Sequence, residues 1–220
     1  MISKCVLDFY HTDFLKYWQR DENMIVGITG TSGSGKSTVS AVFERYGFTH
    51  INLDAVSKDL ATPDSQCLKE IISQFGDDLL LPDGSLDRHA LGEIVFRDKQ
   101  KLDLLNTITH KYILKEMDNI IARTEGDILI DAPLLFESGA DSRCDFTVCV
   151  TSDRKMQIKR IAVRDGISEE TAAARLDRQH SNEFFTQKSD YCIENKGSLD
   201  ELEQKSETLI RTLRERVENA

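Results

Sequence analysis

The sequence predicts an α/β fold, a five-stranded parallel sheet with helices on both faces, and three observations lead to it. Short apolar, β-prone runs alternate with longer segments of helical periodicity, as in strands joined by crossover helices. A glycine-rich loop, Gly30-Thr31-Ser32-Gly33-Ser34-Gly35-Lys36-Ser37, stands between the first such run and the first helical segment. Polar residues close later runs at Asp54, Asp131 and Asn195, and the carboxyl ends of strands are where an open parallel sheet gathers its binding groups.

Met24, Ile25, Val26 and Ile28 form the first strand, apolar on both sides as a buried parallel strand should be. The loop after it fits G-x-x-x-x-G-K-[ST], whose glycines let successive backbone N–H groups turn inward around phosphates. Gly33, Ser34, Gly35, Lys36, Ser37 and Thr38 are the expected cradle. Lys36 reaches the β- and γ-phosphates, and the Ser37 hydroxyl can ligate Mg²⁺. A helix follows, with Val39, Val42, Phe43 and Tyr46 on one face and Gly47 as its stop. A flexible Gly/Ser turn would not need this strand before it and this helix after it. The chain is therefore read as binding a nucleoside triphosphate.

Residues 48–53 read as the second strand, ending at Asp54. Helices are expected over 66–75, 87–96, 98–108 and 111–122, with a turn at Pro82-Asp83-Gly84. Strands follow at 127–130, 146–150 and 191–194, the last ending at Asn195-Lys196-Gly197. A final helix over 199–217 carries apolar residues at 199, 202, 209, 213 and 217. Asp131 closes an h-h-h-D run, the form in which a carboxylate holds Mg²⁺ directly or through water, although a structural aspartate fits there too. Asp54 is either a helix cap or a functional carboxylate.

Segment 153–180 reads as helix, turn, helix, turning at Asp165-Gly166 and restarting at Ser168. Arg160, Arg164 and Arg175 lie where a mobile arm would close on a triphosphate and neutralise the transferring group. The other reading is a solvated charged face.

The net charge of -10 argues against a surface that tracks nucleic acid, though the basic cluster from Arg154 to Arg178 suits a small anion. No run approaches 18 apolar residues and the first twenty lack a secretory core, so no membrane association and a cytoplasmic location are expected. The five scattered cysteines suggest neither zinc nor a disulfide framework, and Cys144, Cys149 and Cys192 are expected as buried thiols. In residues 1–23, Leu7, Tyr10, Phe14, Tyr17 and Trp18 recur at helical spacing. That extension is expected to be a helix docked on its own core, or a start-site artefact preceding Met24, and dispensable for catalysis.

These stretches resemble dephospho-coenzyme A kinases, from Ile25 to Leu213. The carrying segments are GITGTSGSGKST at 27–38, INLDAVSKDL at 51–60, FGDDLLLPDGSLDRHALGEIVF at 75–96 and LLNTITHKYI at 104–113. IDAPLLFESG at 130–139, KRIAVRDGISEETAAARLDRQ at 159–179 and IENKG at 193–197 complete the set. Asp131 to Glu137, in the form D-x-P-L-L-F-E, is far more specific than the phosphate loop alone. The resemblance implies a P-loop kinase fold over 24–220, with a helical coenzyme-binding insert at about 60–124 and a small lid at about 153–180. It implies transfer of the γ-phosphoryl of ATP to the ribose 3′-hydroxyl of dephospho-coenzyme A, with Mg²⁺ as cofactor and no obligate protein partner. By position, Asp54 matches the base, Lys36 and the loop the ATP cradle, and Arg160, Arg164 and Arg175 the lid arginines. Asn195 falls at the nucleotide side, and Arg88 and His110 match the coenzyme-binding helices.

Four positions depart from the family pattern. The usual Asp-Ala-Asp is Asn52-Leu53-Asp54, leaving one carboxylate; an Arg is Lys58; and the Pro after the histidine is Lys111, so a freer chain is expected after His110. Two other readings were weighed against this family. Another small-molecule kinase would not need so large a helical block at 64–124. A switch or motor ATPase would need signatures such as N-K-x-D or L-S-G-G-Q, which are missing.

Overall fold

The computed structural model describes residues 23–219. The extension proposed for 1–23, including Cys5, lies outside the described residues apart from Asn23. Five strands form one sheet: β1 (Ile25–Thr29), β2 (Thr49–Asn52), β3 (Ile128–Asp131), β4 (Phe146–Thr151) and β5 (Tyr191–Glu194). Their order is β2-β3-β1-β4-β5, and every neighbouring pair is parallel. The glycine loop leaves the central strand, so the two flanking strand ends stand beside it.

Side chains alternate across the sheet, and the two faces bury different helices. Val26, Ile28, Leu129, Val148 and Val150 pack against α1 (Lys36–Arg45) and the last helix, α9 (Leu199–Glu218). The contacting residues there include Val39, Phe43, Leu202, Ile210 and Leu213. On the other face Ile51, Ile128 and Ile130 meet α2 (Leu53–Leu60) and α5 (Lys99–Ala122) through Leu53, Ile113 and Met117.

A separate cluster lies away from the sheet. Cys67, Leu68 and Ile71 of α3 (Gln66–Phe75) pack with Leu91 and Val95 of α4 (Arg88–Phe96) and with Ile108 of α5. Beyond β4, α6 (Arg154–Asp165) and α7 (Glu169–Leu176) share only a small core of Ile161, Ala172 and Leu176. Gly166 ends α6 in the left-handed region at φ 64°, and the Ser168 hydroxyl caps α7 by accepting from the Thr171 N–H. The pair builds this core from its own side chains, and Gln157 and Arg160 of α6 hydrogen-bond to the glycine loop. A short helix, α8 (Asn182–Lys188), then leads back to β5.

Several expectations need correction. The helices expected at 98–108 and 111–122 are one continuous helix, α5, because nothing between them breaks it. Lys111 keeps the backbone N–H that a proline would remove, and its ammonium pairs with Glu70 at 2.6 Å. The chain is therefore helical, not freer, after His110. The second strand stops at Asn52, and α2 begins at Leu53, where buried Leu53 had extended the apparent apolar run. The seven-residue α8 was not foreseen, since its adjacent Phe184 and Phe185 show no helical period. Cys149 is buried, with burial pushing its thiol up to about 12, but Cys144 is only half-buried and Cys192, on an edge strand, is exposed. On α9, Leu199 is 60% exposed, and Ser206 and Ile210 complete the inner face. Among the described residues, no helix is long and apolar enough to cross a membrane.

Candidate active site

The loop from Gly30 to Gly35 closes over the carboxyl end of β1, and its glycines are required there. Gly30 and Gly35 have φ of 145° and 101°; a Cβ on the first would strike the Val150 carbonyl oxygen, and on the second the Asn195 amide. Neighbouring side chains brace the loop from below. Asn195 Nδ2 donates to the Ser34 carbonyl at 2.7 Å, and Arg160 Nη1 donates to the Gly33 carbonyl and to Ser152 Oγ, both at 3.1 Å. Gln157 Nε2 donates to Thr31 Oγ1. Asn195 is buried and Arg160 half-buried, so in this structure both act on the loop itself.

Lys36 opens α1 and pairs with the Asp131 carboxylate at the end of β3. Ser40 Oγ, one turn along α1, donates to Asp131 Oδ2 at 3.0 Å. His50 Nε2 of β2 lies 3.4 Å from that oxygen, while His50 Nδ1 contacts Glu44. Burial would push the Asp131 carboxyl up, but His50, Lys36 and Ser40 together hold it below the ordinary carboxylate range. The contact with Asp131 and that with Glu44 raise the His50 pKa against the opposing effect of burial. A buried carboxylate is thus kept ionised beside the phosphate loop.

Asp54 stands at the next strand end. Asn52 is in register with Asp131 across the β2–β3 pair, and Asp54 lies two residues on, in the first turn of α2. The helix cap is Asn52, whose Oδ1 accepts from the Ala55 N–H at 3.0 Å. Asp54 is exposed, and among the described residues its carboxylate has no hydrogen-bond or ion-pair partner. The departure from Asp-x-Asp is explained as well, because Asn caps a helix as well as Asp does. Asn52→Ala should lower stability by about 1 kcal/mol and Asn52→Asp by a few tenths at most, as read by urea unfolding.

Arg164 and Arg175 converge on one carboxylate. Arg164 Nε donates to Asp165 Oδ1, and Arg175 Nη1 to Asp165 Oδ2, each at 2.7 Å. Both guanidinium groups are more than half exposed and joined across the α6–α7 turn. Asp165 holds the two like charges together on the arm. Arg160 is placed differently, under the loop.

Arg88 and His110 belong to the helical block. Arg88 Nη2 donates to the Lys58 carbonyl at 3.2 Å, linking the start of α4 to α2. It lines a cavity of about 260 Å³ between α2, α3, α4 and α5, together with Ser57, Asn106 and Thr109. His110 is half-buried further along α5 and does not line that cavity; burial holds its pKa below the ordinary value, with Glu137 opposing. The structure therefore brings Lys36 and Asp131 together with Asp54 just past the neighbouring strand end, while Arg88 lines the cavity of the helical block and His110 does not.

The donor set suits a hard divalent cation held mainly through substrate phosphates. Ser37 is exposed, with no hydrogen-bond partner among the described residues, and Asp131 offers a carboxylate at the neighbouring strand end. Among the described residues no cluster of three or more His, Cys, Asp or Glu side chains could hold a metal alone. One hydroxyl and one carboxylate, completed by phosphate and water, suit a divalent metal ion.

Residue reading missed Gln157, Gln179, Asn182 and His50. Asn182 Nδ2 donates to the Ser152 carbonyl at 3.0 Å, and Gln179 bonds Ser32 twice. Neutral amides in a charged segment give no pattern that separates them from solvated residues. His50 sits in a strand whose pairing partner the sequence does not show.

Comparison with known proteins agrees over nearly all of the described chain. The dephospho-CoA kinase family model matches residues 24–201. A dephospho-CoA kinase from Fusobacterium nucleatum is 42% identical over 193 residues, covering 86% of this chain and 98% of that one. Among solved structures, a Thermus thermophilus protein superposes with a TM-score of 0.74 at 30% identity, over 88% of this chain and 99% of that one. The dephospho-CoA kinase from Campylobacter jejuni gives 0.63 at 30% identity, over 86% and 96%.

Proposed function

The chain belongs to the dephospho-CoA kinase family, which phosphorylates dephospho-CoA with ATP in the final step of CoA biosynthesis, and from that premise we propose which residues carry the transfer. The observation that supports the assignment best is the row of groups at neighbouring strand ends: Lys36 on Asp131, and Asp54, without a partner among the described residues, in the helix turn just past β2. In this reading the backbone from Gly33 to Thr38 cradles the β- and γ-phosphates, and Lys36 turns from Asp131 to their charge. Ser37 and Asp131 would hold Mg²⁺, which would supply neutralisation of the phosphate charge. Asp54 accepts the proton of the ribose 3′-hydroxyl as its oxygen attacks the γ-phosphorus, and ADP leaves with the bridging oxygen.

Arg160 and Asn195 act on the nucleotide through the loop they brace. Arg164 and Arg175, already paired by Asp165, move with the arm onto the γ-phosphoryl group. We assign the helical insert at about 60–124 to acceptor binding, with Arg88 in its cavity wall and His110 on the long helix, and the lid to about 153–180. Arg164→Ala should lower kcat roughly 10³-fold or more, with a smaller change in KM for dephospho-CoA, in steady-state assays. An unchanged kcat would return the arm to a solvated charged face.

An acceptor panel tests the reading as a whole. With ATP and Mg²⁺, dephospho-CoA should be phosphorylated at the 3′-position, while adenosine, AMP and gluconate should turn over poorly. Phosphorylation of gluconate or AMP at comparable kcat/KM would overturn the acceptor assignment.

A further inference from the structure

Just past the end of α7, three consecutive side chains reach three different parts of the molecule. Arg178 sets its guanidinium carbon 5.6 Å from the centre of the Phe96 ring, which closes α4 and is 77% exposed. Gln179 Oε1 accepts from the Ser32 backbone N–H, and its Nε2 donates to Ser32 Oγ, both at 2.9 Å. His180 Nε2 lies 3.1 Å from Glu137 Oε1, and its ring stacks on Phe184 at 3.8 Å and 14°. Phe96 belongs to the helical block, Ser32 to the phosphate loop, and Glu137 to the segment that follows Asp131. One tripeptide therefore touches the helical block, the phosphate loop and the segment after β3.

We propose that Gln179 is a positioning residue for phosphoryl transfer, setting the tip of the phosphate loop and coupling it to the arginine-bearing arm. This deepens the reading of the loop as the ATP site and rests on it. A primary amide can both accept from a backbone N–H and donate to a hydroxyl, which neither an ionised carboxylate nor an ammonium can do. The neighbours of Ser32 are tied to the same stretch of chain. Thr31 meets Gln157 of α6 and Asn182 of α8, and the Gly33 carbonyl meets Arg160 of α6. Gln179 completes the set at the residue between them, directly after the helix that carries Arg175. Any shift of the arm is thus transmitted to the loop tip, and the loop fixes where the arm stands. The paired contacts of Arg178 and His180 on either side keep the Gln179 backbone in place.

The contact is exposed, so removing it should leave the fold nearly unchanged while misplacing the γ-phosphoryl group. Gln179→Ala and the similarly shaped Gln179→Met are expected to lower kcat about tenfold, with a smaller change in KM for ATP. Melting temperature should stay within about 2 °C of the parent, as is usual for surface substitutions. In a double-mutant cycle, adding Ser32→Ala to Gln179→Ala should slow the enzyme no further, because Gln179→Ala has already removed both hydrogen bonds to Ser32, the one to its hydroxyl included. A kcat within about twofold of the parent, a matching fall in melting temperature, or losses that multiply would each overturn the proposal. Lys36→Ala is run beside them. If it too leaves turnover intact, the loop is not the ATP site; if it abolishes turnover while Gln179→Ala does not, only the role of Gln179 fails.

Discussion

Lys36→Ala is expected to lower kcat by about 10³-fold or more, because it removes an ammonium that the proposed reading places where charge develops on the phosphates. The lysine is only slightly exposed and faces a buried carboxylate, so its charge acts in a setting where water screens poorly. The variant should still fold. Ser40 and His50 remain against Asp131, and that carboxyl can take up a proton more readily once the ammonium is gone. Circular dichroism and thermal melting would establish the fold, and a coupled ADP-release assay the rate. Turnover near the parent level in a folded variant would mean that phosphate transfer takes place elsewhere.

Asp54→Asn should cost roughly 10² to 10⁴ in kcat with ATP binding little changed, since it keeps shape and removes only basicity. A ribose hydroxyl is a weak nucleophile at neutral pH, and a carboxylate within reach can orient it and take its proton. The structure sharpens this test, because the first turn of α2 is capped by Asn52 and Asp54 is free of capping duty. Stability should therefore hardly move. Steady-state kinetics beside nucleotide titration by calorimetry separates the two effects. A loss under about threefold would remove Asp54 from proton transfer.

Much of this site could be read from the chain alone, because its parts are local. The phosphate loop depends on glycines at fixed offsets between a strand and a helix, and those are adjacent in sequence. The apolar run before it marked Asp131 as a strand-end residue for the same reason, whereas Asp54 falls in the first turn of α2, two residues past the end of β2. The boundaries that failed were those set by single hydrogen bonds or by burial. Asn52 ends β2 because its side chain caps α2, although the apolar Leu53 prolongs the run. The long α5 continues past His110 because Lys111 retains the backbone donor a proline lacks.

The amino-acid sequence by itself determined the parallel α/β class, the glycine-rich loop between the first strand and the first helix, and the family to which the chain belongs. Tertiary structure alone decided which side chains meet. It set His50 and Ser40 against Asp131, turned Arg160 and Asn195 beneath the loop, paired Arg164 with Arg175 through Asp165, and brought Gln179 to Ser32 across 147 positions of chain. The reason is physical. Backbone conformation and periodicity are properties of neighbouring residues, whereas a polar side chain finds its partner only when packing has fixed the distance between elements, and a hydrogen bond lost within a few tenths of an ångström leaves no periodic trace in the sequence.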